Sequence, residues 1–173
     1  MKKIIIGFFV LSIFACKTQE VKTENNDAEV MADFRENSKV ALALFHAFEN
    51  KDMSVFAENI SDTAKIYGAK YGDSILTKEQ NIANLSALTK LFSISKANDI
   101  KMYPGVDTTT FKIVPTVRAY VRWTDDALNG AKIEHKYYGV LEFNKDHKVV
   151  VIDVYFDVTG MLNASTAPKN SFL

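Results

Sequence analysis

The chain has 173 residues, with 21 basic and 21 acidic side chains and a single cysteine. This length fits one domain of ordinary size. Because the charges balance, nucleic acid is an unexpected partner, and one cysteine cannot build a disulfide framework or a thiolate metal site.

The N-terminus has the pattern of a secretory signal. Lys2 and Lys3 precede an almost unbroken apolar run over residues 4–15, and polar sequence follows at once. A basic start, a short apolar segment and a small residue before the cut are the three parts of such a signal. A membrane-spanning helix needs roughly 20 apolar residues, so the run predicts a removable signal peptide over residues 1–15.

The end of this run resembles a bacterial lipobox, with Ile13, Ala15 and then Cys16 as the lipidated residue. Acylation of Cys16 would anchor the chain to the lipid bilayer. We therefore expect a lipid-anchored protein of the bacterial cell envelope that faces the periplasm or the outside. The alternative is an ordinary signal peptide with an incidental cysteine.

Three segments follow the signal peptide. Residues 16–35 hold the lipidated cysteine and a polar stretch with few large apolar side chains, which predicts a flexible tether because such a segment buries too little surface to order itself. Residues 36–160 have globular composition and predict one domain. Residues 161–173 are interpreted as a C-terminal tail.

Helical spacing marks the start of the domain. Val40, Leu44 and Phe48 recur at intervals of four, which predicts an amphipathic helix. The segment MSVFAENI predicts a second, short helix, and TAKIYGA a strand. Thr77 and Gln80 fit a capping box at the start of a third helix, whose apolar stripe is Leu85, Leu88 and Phe92.

Asn81 falls on the same arc of this third helix. Two interpretations stay open for it: an amide that lines a pocket, or a first-turn residue that touches water at the rim.

The second half of the domain predicts strands. The segments NDIKMYPG, IVPTVRAYVRWT, AKIEHKYYGVLEF and VVVIDVYFDV are separated by turn sequences. Three helices and one strand, followed by four antiparallel strands, predict an α+β fold with helices on one face of a bent sheet.

Two stretches resemble the NTF2-like superfamily in its SnoaL-like branch. They are ALALFHAFENKDMSVFAENISDTAKIYG near the start of the domain and HKYYGVLEFNKDHKVVVIDVYFDV at its end. The resemblance covers about residues 36–160. It implies a cone in which a strongly curved antiparallel sheet wraps a long helix with two further N-terminal helices, and whose open end is a ligand pocket. Some members are enzymes, such as polyketide cyclases and ketosteroid isomerases, and many others only bind or pair with partners.

The last two strands are predicted to pair through a two-residue turn at Asp146-His147. That register places His135 and Tyr137 on the inner face, because a slip of one residue would bury acids of the last strand instead. The same face then continues through a row of apolar residues: Val150, Ile152, Val154, Phe156 and Val158.

The strand before them has two candidate inner faces. A tight turn at Asn129-Gly130 would point Arg118, Tyr120 and Arg122 inward. Strict alternation favours Val117, Ala119, Val121 and Trp123 inward, which requires a longer or bulged loop. We prefer the apolar face. The predicted ligand-binding residues are then Tyr67, Asn81, Phe92, Tyr103, Trp123, His135 and Tyr137.

Three functions follow from these residues together with what the resemblance implies. The first is a domain that binds a small, largely apolar ligand in an aromatic-lined pocket. The second is a SnoaL-like isomerase or cyclase acting on a cyclic ketone or polyketide-like substrate, with His135 as the candidate catalytic base. The third is a partner-binding domain that forms a homodimer through the outer sheet face.

The sequence predicts no acid inside the pocket, which makes the enzyme the second choice. Asp62, Asp73 and Asp99 are interpreted as solvated turn residues. A carboxylate within hydrogen-bond reach of His135 would reverse that order. The sequence contains no motif for nucleotide binding, for a zinc protease or for a serine hydrolase. We therefore expect neither a cofactor nor a metal.

Overall fold

The computed structural model describes residues 24–168. The predicted signal peptide and Cys16 lie outside the described residues. In chain order the elements are α1 (Glu24–Asn50), α2 (Met53–Asn59), β1 (Ile60–Tyr67), α3 (Lys78–Thr89), β2 (Phe92–Val106), β3 (Ile113–Ala127), β4 (Lys132–Phe143), β5 (Val149–Tyr155) and α4 (Val158–Thr166).

The five strands form one sheet in the order β1-β5-β4-β3-β2. β1 pairs with β5 in parallel, and the three other pairs are antiparallel. The helices supply the other layer, so the predicted α+β fold with a curved, mainly antiparallel sheet is confirmed. Within residues 24–168, no helix combines the length and the apolar character needed to cross a bilayer.

The long helix α1 packs on the inner face of the sheet. Leu44 and Phe45 are buried there, and the Phe45 ring lies edge-on to Trp123 of β3, with 6.3 Å between centroids. Phe48 makes the same kind of contact with Trp123 at 5.2 Å. Aromatic rings prefer such edge-to-face arrangements, so these contacts fix the helix over the centre of the sheet.

Both predicted ends of the domain differ from the structure. Residues 24–35 form the first turns of α1 and not a tether, and Phe34 packs against the core. At the other end, α4 occupies much of the predicted tail, and Met161 is buried. Sparse apolar residues were interpreted as disorder, but a few of them suffice when the helix that carries them docks on an existing core.

The capping box at the start of α3 is confirmed. The Thr77 hydroxyl accepts the Gln80 backbone N–H, and the Gln80 side chain accepts the Thr77 backbone N–H. The predicted length of this helix is wrong, because it ends at Thr89 and Phe92 is the first residue of β2. Phe92 is nevertheless buried.

The β3–β4 hairpin has the longer loop that the apolar alternation requires. Ala127 N–H donates to Ala131 O, and Gly130, at φ +95°, closes a three-residue loop. Glycine adopts this left-handed backbone without steric cost. The register that follows pairs Trp123 with His135, and Val117, Ala119, Val121 and Trp123 are all buried.

The β4–β5 hairpin combines two irregularities. Its loop has three residues, not the predicted two, since Asn144 N–H bonds Lys148 O and His147 has φ +55°. A bulge between Glu142 and Phe143 then restores the predicted register, in which Leu141 pairs with Ile152. One residue of the predicted inner face is wrong because of this bulge: Val149 is fully buried, and Val150 is not.

Candidate functional site

A cavity of about 160 Å³ lies between α1, α3 and the inner face of the sheet. An apolar cavity of about 150 Å³ is known to hold benzene, so this one has room for a single ring. Its wall is mainly apolar and includes Phe45, Phe48, Leu85, Leu88, Phe92, Trp123, Leu141, Ile152, Val154, Phe156 and Met161.

Five of the seven residues predicted to bind ligand lie on this wall: Asn81, Phe92, Trp123, His135 and Tyr137. Tyr67 and Tyr103 do not. Tyr67 is 38% exposed and its neighbour Ile66 lines the cavity, whereas Tyr103 is 51% exposed and its neighbour Met102 packs against the core. Both tyrosines were placed by residue type, but alternation along β1 and β2 points them to the outer face.

The structure adds an acid to the wall that the sequence reasoning missed. Asp125 lines the cavity and is only 2% exposed. Asp125 lies on β3 two residues after Trp123. The alternation that places Val117 to Trp123 on the inner face, extended by one more inward position, therefore places Asp125 there as well. The signal was present, but the segment after Trp123 was interpreted as a turn.

Asp125 and His135 are in contact on the cavity wall. The Asp125 Oδ2 atom lies 3.4 Å from His135 Nδ1. Among the described residues, neither Asp125 Oδ1 nor His135 Nδ1 has a hydrogen-bond partner. The His135 ring lies tilted on Phe156, with 5.4 Å between centroids. A carboxylate and an imidazole are thus held together with unused hydrogen-bonding capacity.

Burial dominates the electrostatics of this pair. Loss of solvent raises the pKa of Asp125, although the Ser95 hydroxyl and the His135 ring oppose that effect. Loss of solvent lowers the pKa of His135, against the attraction of Asp125 and Asp157. Both shifts favour the uncharged forms. The carboxylate of Asp125 is therefore a stronger base than an ordinary aspartate.

Two further polar groups face the cavity, Tyr137 and Asn81. Burial raises the pKa of Tyr137 above the usual range of tyrosine, so its hydroxyl keeps its proton and can donate it in a hydrogen bond. Asn81 is 9% exposed, and within residues 24–168 no hydrogen bond of its side-chain amide is found. The Thr77 cap holds the turn that carries Asn81, so this amide is positioned toward the cavity.

His46 lies on the solvent-exposed face of α1. Its Nδ1 atom lies 2.7 Å from Glu49 Oε2 and its side chain is 53% exposed. The part of the chain that the structure describes contains no group of three or more His, Cys, Asp or Glu side chains able to hold a metal ion.

Comparison with solved structures identifies the fold. A pinacolase from Penicillium brevicompactum has a TM-score of 0.58 and 15% identity, over 75% of this chain and 91% of its own. A Jannaschia protein provisionally assigned as a SnoaL-like polyketide cyclase has a TM-score of 0.57 and 16% identity, over 78% and 94%. An NTF2-like protein of unknown function from Burkholderia pseudomallei has a TM-score of 0.61 and 14% identity, over 76% and 98%.

This chain has the NTF2-like fold. No protein-family model and no curated protein matches it in sequence. At such identities the structural likeness establishes the fold and leaves the activity to be argued from the site.

In this NTF2-like domain the cone is not filled by its own side chains. The aromatic rings of Phe45, Trp123 and Tyr137 line the cavity and leave about 160 Å³ between them and the other walls. Open, mainly apolar space with a few convergent polar groups is the usual form of a small-molecule site. The cavity therefore favours the two ligand-based hypotheses over a domain that serves only to pair with partners.

Proposed function

We propose that this domain binds a small, single-ring carbonyl compound and moves a proton on a carbon next to the carbonyl group. The observation that carries the proposal is Asp125, a carboxyl group that is 2% exposed on the wall of an apolar cavity, with Oδ1 unpartnered among the described residues. A buried carboxylate of raised pKa is suited to act as a general base near neutral pH.

The proposed step balances without a cofactor. The Asp125 carboxylate removes a proton from the carbon, and the electron pair of that C–H bond moves onto the carbonyl oxygen. Tyr137 and Asn81 are the available hydrogen-bond donors for this oxygen. In a β,γ-unsaturated ketone the electron pair then returns from the oxygen through the conjugated double bond, and the γ-carbon takes the proton from Asp125, which gives the α,β-unsaturated isomer. His135 positions the carboxyl group from 3.4 Å.

Exchange of carbon-bound hydrogen in D₂O tests this proposal. Cyclohexanone and 2-cyclohexenone fit the volume of the cavity, and loss of their α-proton signals can be followed by NMR. We expect the wild-type protein to accelerate exchange over buffer, and Asp125→Asn to reduce the acceleration by about 10²-fold or more. Asp153→Asn is the control, because Asp153 bonds the exposed Tyr155 hydroxyl. Equal exchange by wild type and Asp125→Asn would exclude Asp125 as the base.

Binding without chemistry is the second candidate function. The mainly apolar wall supports it, since burial of apolar ligand surface alone stabilises a complex. Native mass spectrometry of residues 24–173, purified without detergent, would reveal a retained ligand. A bound molecule that shows no exchange of carbon-bound hydrogen would favour this function over the enzyme, and the same spectra would show whether two copies pair through the outer sheet face.

We also propose that Cys16 carries the lipid anchor. The apolar run before it and the lipobox resemblance support this. Cys16→Ser removes the only cysteine, so the variant is expected to leave the detergent phase in a partition experiment. Unchanged partitioning of Cys16→Ser would contradict the anchor.

A further inference from the structure

Gly139 has an unusual neighbour on the inner face of β4. A Cβ atom placed on Gly139 would lie 2.6 Å from the Tyr137 hydroxyl oxygen and 2.7 Å from Cε1 of the same ring. Residues two apart on a strand share a face, so the Tyr137 ring extends along β4 and covers Gly139. No other residue type leaves room for this arrangement, because real Cβ atoms do not approach so closely.

The position of the Tyr137 ring matters for the cavity. Tyr137 is one of the lining residues, and it is flanked by Phe45 and Phe156, with centroid distances of 5.8 Å and 6.0 Å. Protein interiors are close-packed, so a ring pushed off Gly139 cannot move into either neighbour. The unfilled space beside it is the cavity itself.

We infer that Gly139 is a specificity-determining residue, which keeps the Tyr137 ring against the strand and thereby keeps the cavity open to a single-ring ligand. This inference rests on the proposed function for the identity of the ligand. It adds that Gly139 sets the size of ligand ring that the cavity accepts, although Gly139 does not line the cavity. Glycine within a strand normally weakens the strand, so the open cavity is obtained at a local cost in stability.

The test is a double-mutant cycle with Gly139→Ala and Tyr137→Leu, read out with two apolar probes, benzene and naphthalene. These probes enter apolar cavities whatever chemistry follows. We expect Gly139→Ala to weaken benzene binding by about tenfold or more, and Tyr137→Leu to allow the binding of naphthalene, which has two fused rings. In the double variant the methyl group added at position 139 meets no ring, so benzene binding is restored. Val140→Ala, on the other face of the same strand, is the control and should bind benzene as the wild type does.

Two outcomes would overturn the inference. One is Gly139→Ala that binds benzene like the wild type, and the other is a double variant that binds benzene no better than Gly139→Ala. If Gly139→Ala does not fold, the double variant still tests the inference. The double variant is expected to fold and to bind benzene only if the Tyr137 ring is what clashes with the added methyl group. Failure of ketone exchange in the wild type, with the benzene results as expected, would contradict the proposed function and leave Gly139 as the determinant of cavity size.

Discussion

Asp125 and His135 meet diagonally across the β3–β4 pair. The register partner of Asp125 is Ile133 and that of His135 is Trp123, yet Asp125 Oδ2 and His135 Nδ1 are 3.4 Å apart. Diagonal neighbours on one face of an antiparallel pair are within reach of long side chains. The contact therefore depends on the three-residue β3–β4 loop, which places both residues on the inner face.

Asp125→Asn is expected to stabilise the folded state at neutral pH. Burial raises the pKa of Asp125, so the folded state keeps this proton to a higher pH than the unfolded chain, whose carboxyl titrates near about 3.9. The contribution of Asp125 to stability is thus present below about pH 3.9 and is lost as the pH rises through the folded pKa.

Urea unfolding of both proteins between pH 4 and pH 8 measures this effect. At pH 7 the variant should gain about 1–3 kcal/mol in the free energy of unfolding, the usual cost of a buried unsatisfied group. The gain should shrink toward low pH. Asp126→Asn is the control for a neighbouring carboxyl on the outer face. A loss of stability in Asp125→Asn that does not vary with pH would contradict the prediction.

The His135 ring is expected to give the opposite pH dependence. Burial lowers its pKa, so the unfolded chain takes up this proton first as the pH falls below about 6.5. Stability contributed by neutral His135 is therefore present above about pH 6.5 and is lost as the pH falls toward the folded pKa, at no more than about 1.4 kcal/mol per pH unit.

The measurement compares Asp125→Asn with the double variant Asp125→Asn/His135→Gln between pH 7.5 and pH 5, which removes the titration of the carboxyl group. The single variant should lose more stability on acidification than the double variant. Parallel curves over this range would show that His135 titrates alike in the folded and unfolded states.

Asn37 is expected to be costly to replace. It is 2% exposed; its amide nitrogen donates to Pro115 O at 2.8 Å, and its oxygen lies 2.8 Å from His147 Nδ1. Asn37→Ala leaves these groups unpaired and should lower the free energy of unfolding by about 1–3 kcal/mol. Asp33→Ala, on the exposed side of α1, should stay within about 0.5 kcal/mol. Equal stability of the two variants in denaturant unfolding would argue against this buried link.

The Thr77 cap is expected to affect the site as well as the fold. Thr77→Ala removes the acceptor for the Gln80 N–H and should cost about 1 kcal/mol in unfolding free energy. Because Asn81 is the residue after Gln80 in the same turn and is a proposed donor to the ligand carbonyl, cyclohexanone binding should weaken in parallel. Thr77→Ser retains the hydroxyl and should restore both properties. A restored stability without restored binding would separate the cap from the placement of Asn81.

Alternation was the part of the sequence that predicted well which side chains of β3 and β4 face inward. It placed Trp123, His135 and Tyr137 on the inner face because their strands continue as apolar rows, and a slipped register would bury acids. The loops were predicted less well, since the extra residue in the β4–β5 turn and the bulge after it cancel, and both leave the apolar pattern unchanged.

Contacts between distant segments were the part that could not be predicted. Alternation from Trp123 distinguishes Asp125 from its neighbour Asp126, but it does not reveal that Asp125 contacts His135 while Asp126 lies beside Lys132. By contrast, the outward placement of Tyr67 and Tyr103 follows from alternation along β1 and β2, which the choice by residue type had not used.

Asn129, in the β3–β4 loop, connects that hairpin to the C-terminal helix. Its amide nitrogen donates to Ala164 O and Ala167 O, each at 2.8 Å, and the same helix places Met161 on the cavity wall. A molecule bound against Met161 therefore adds its binding free energy to the docking of α4. The amide protons of α4 should exchange with solvent more slowly when the cavity is occupied, which makes this helix a built-in reporter of occupancy even for a ligand that undergoes no reaction.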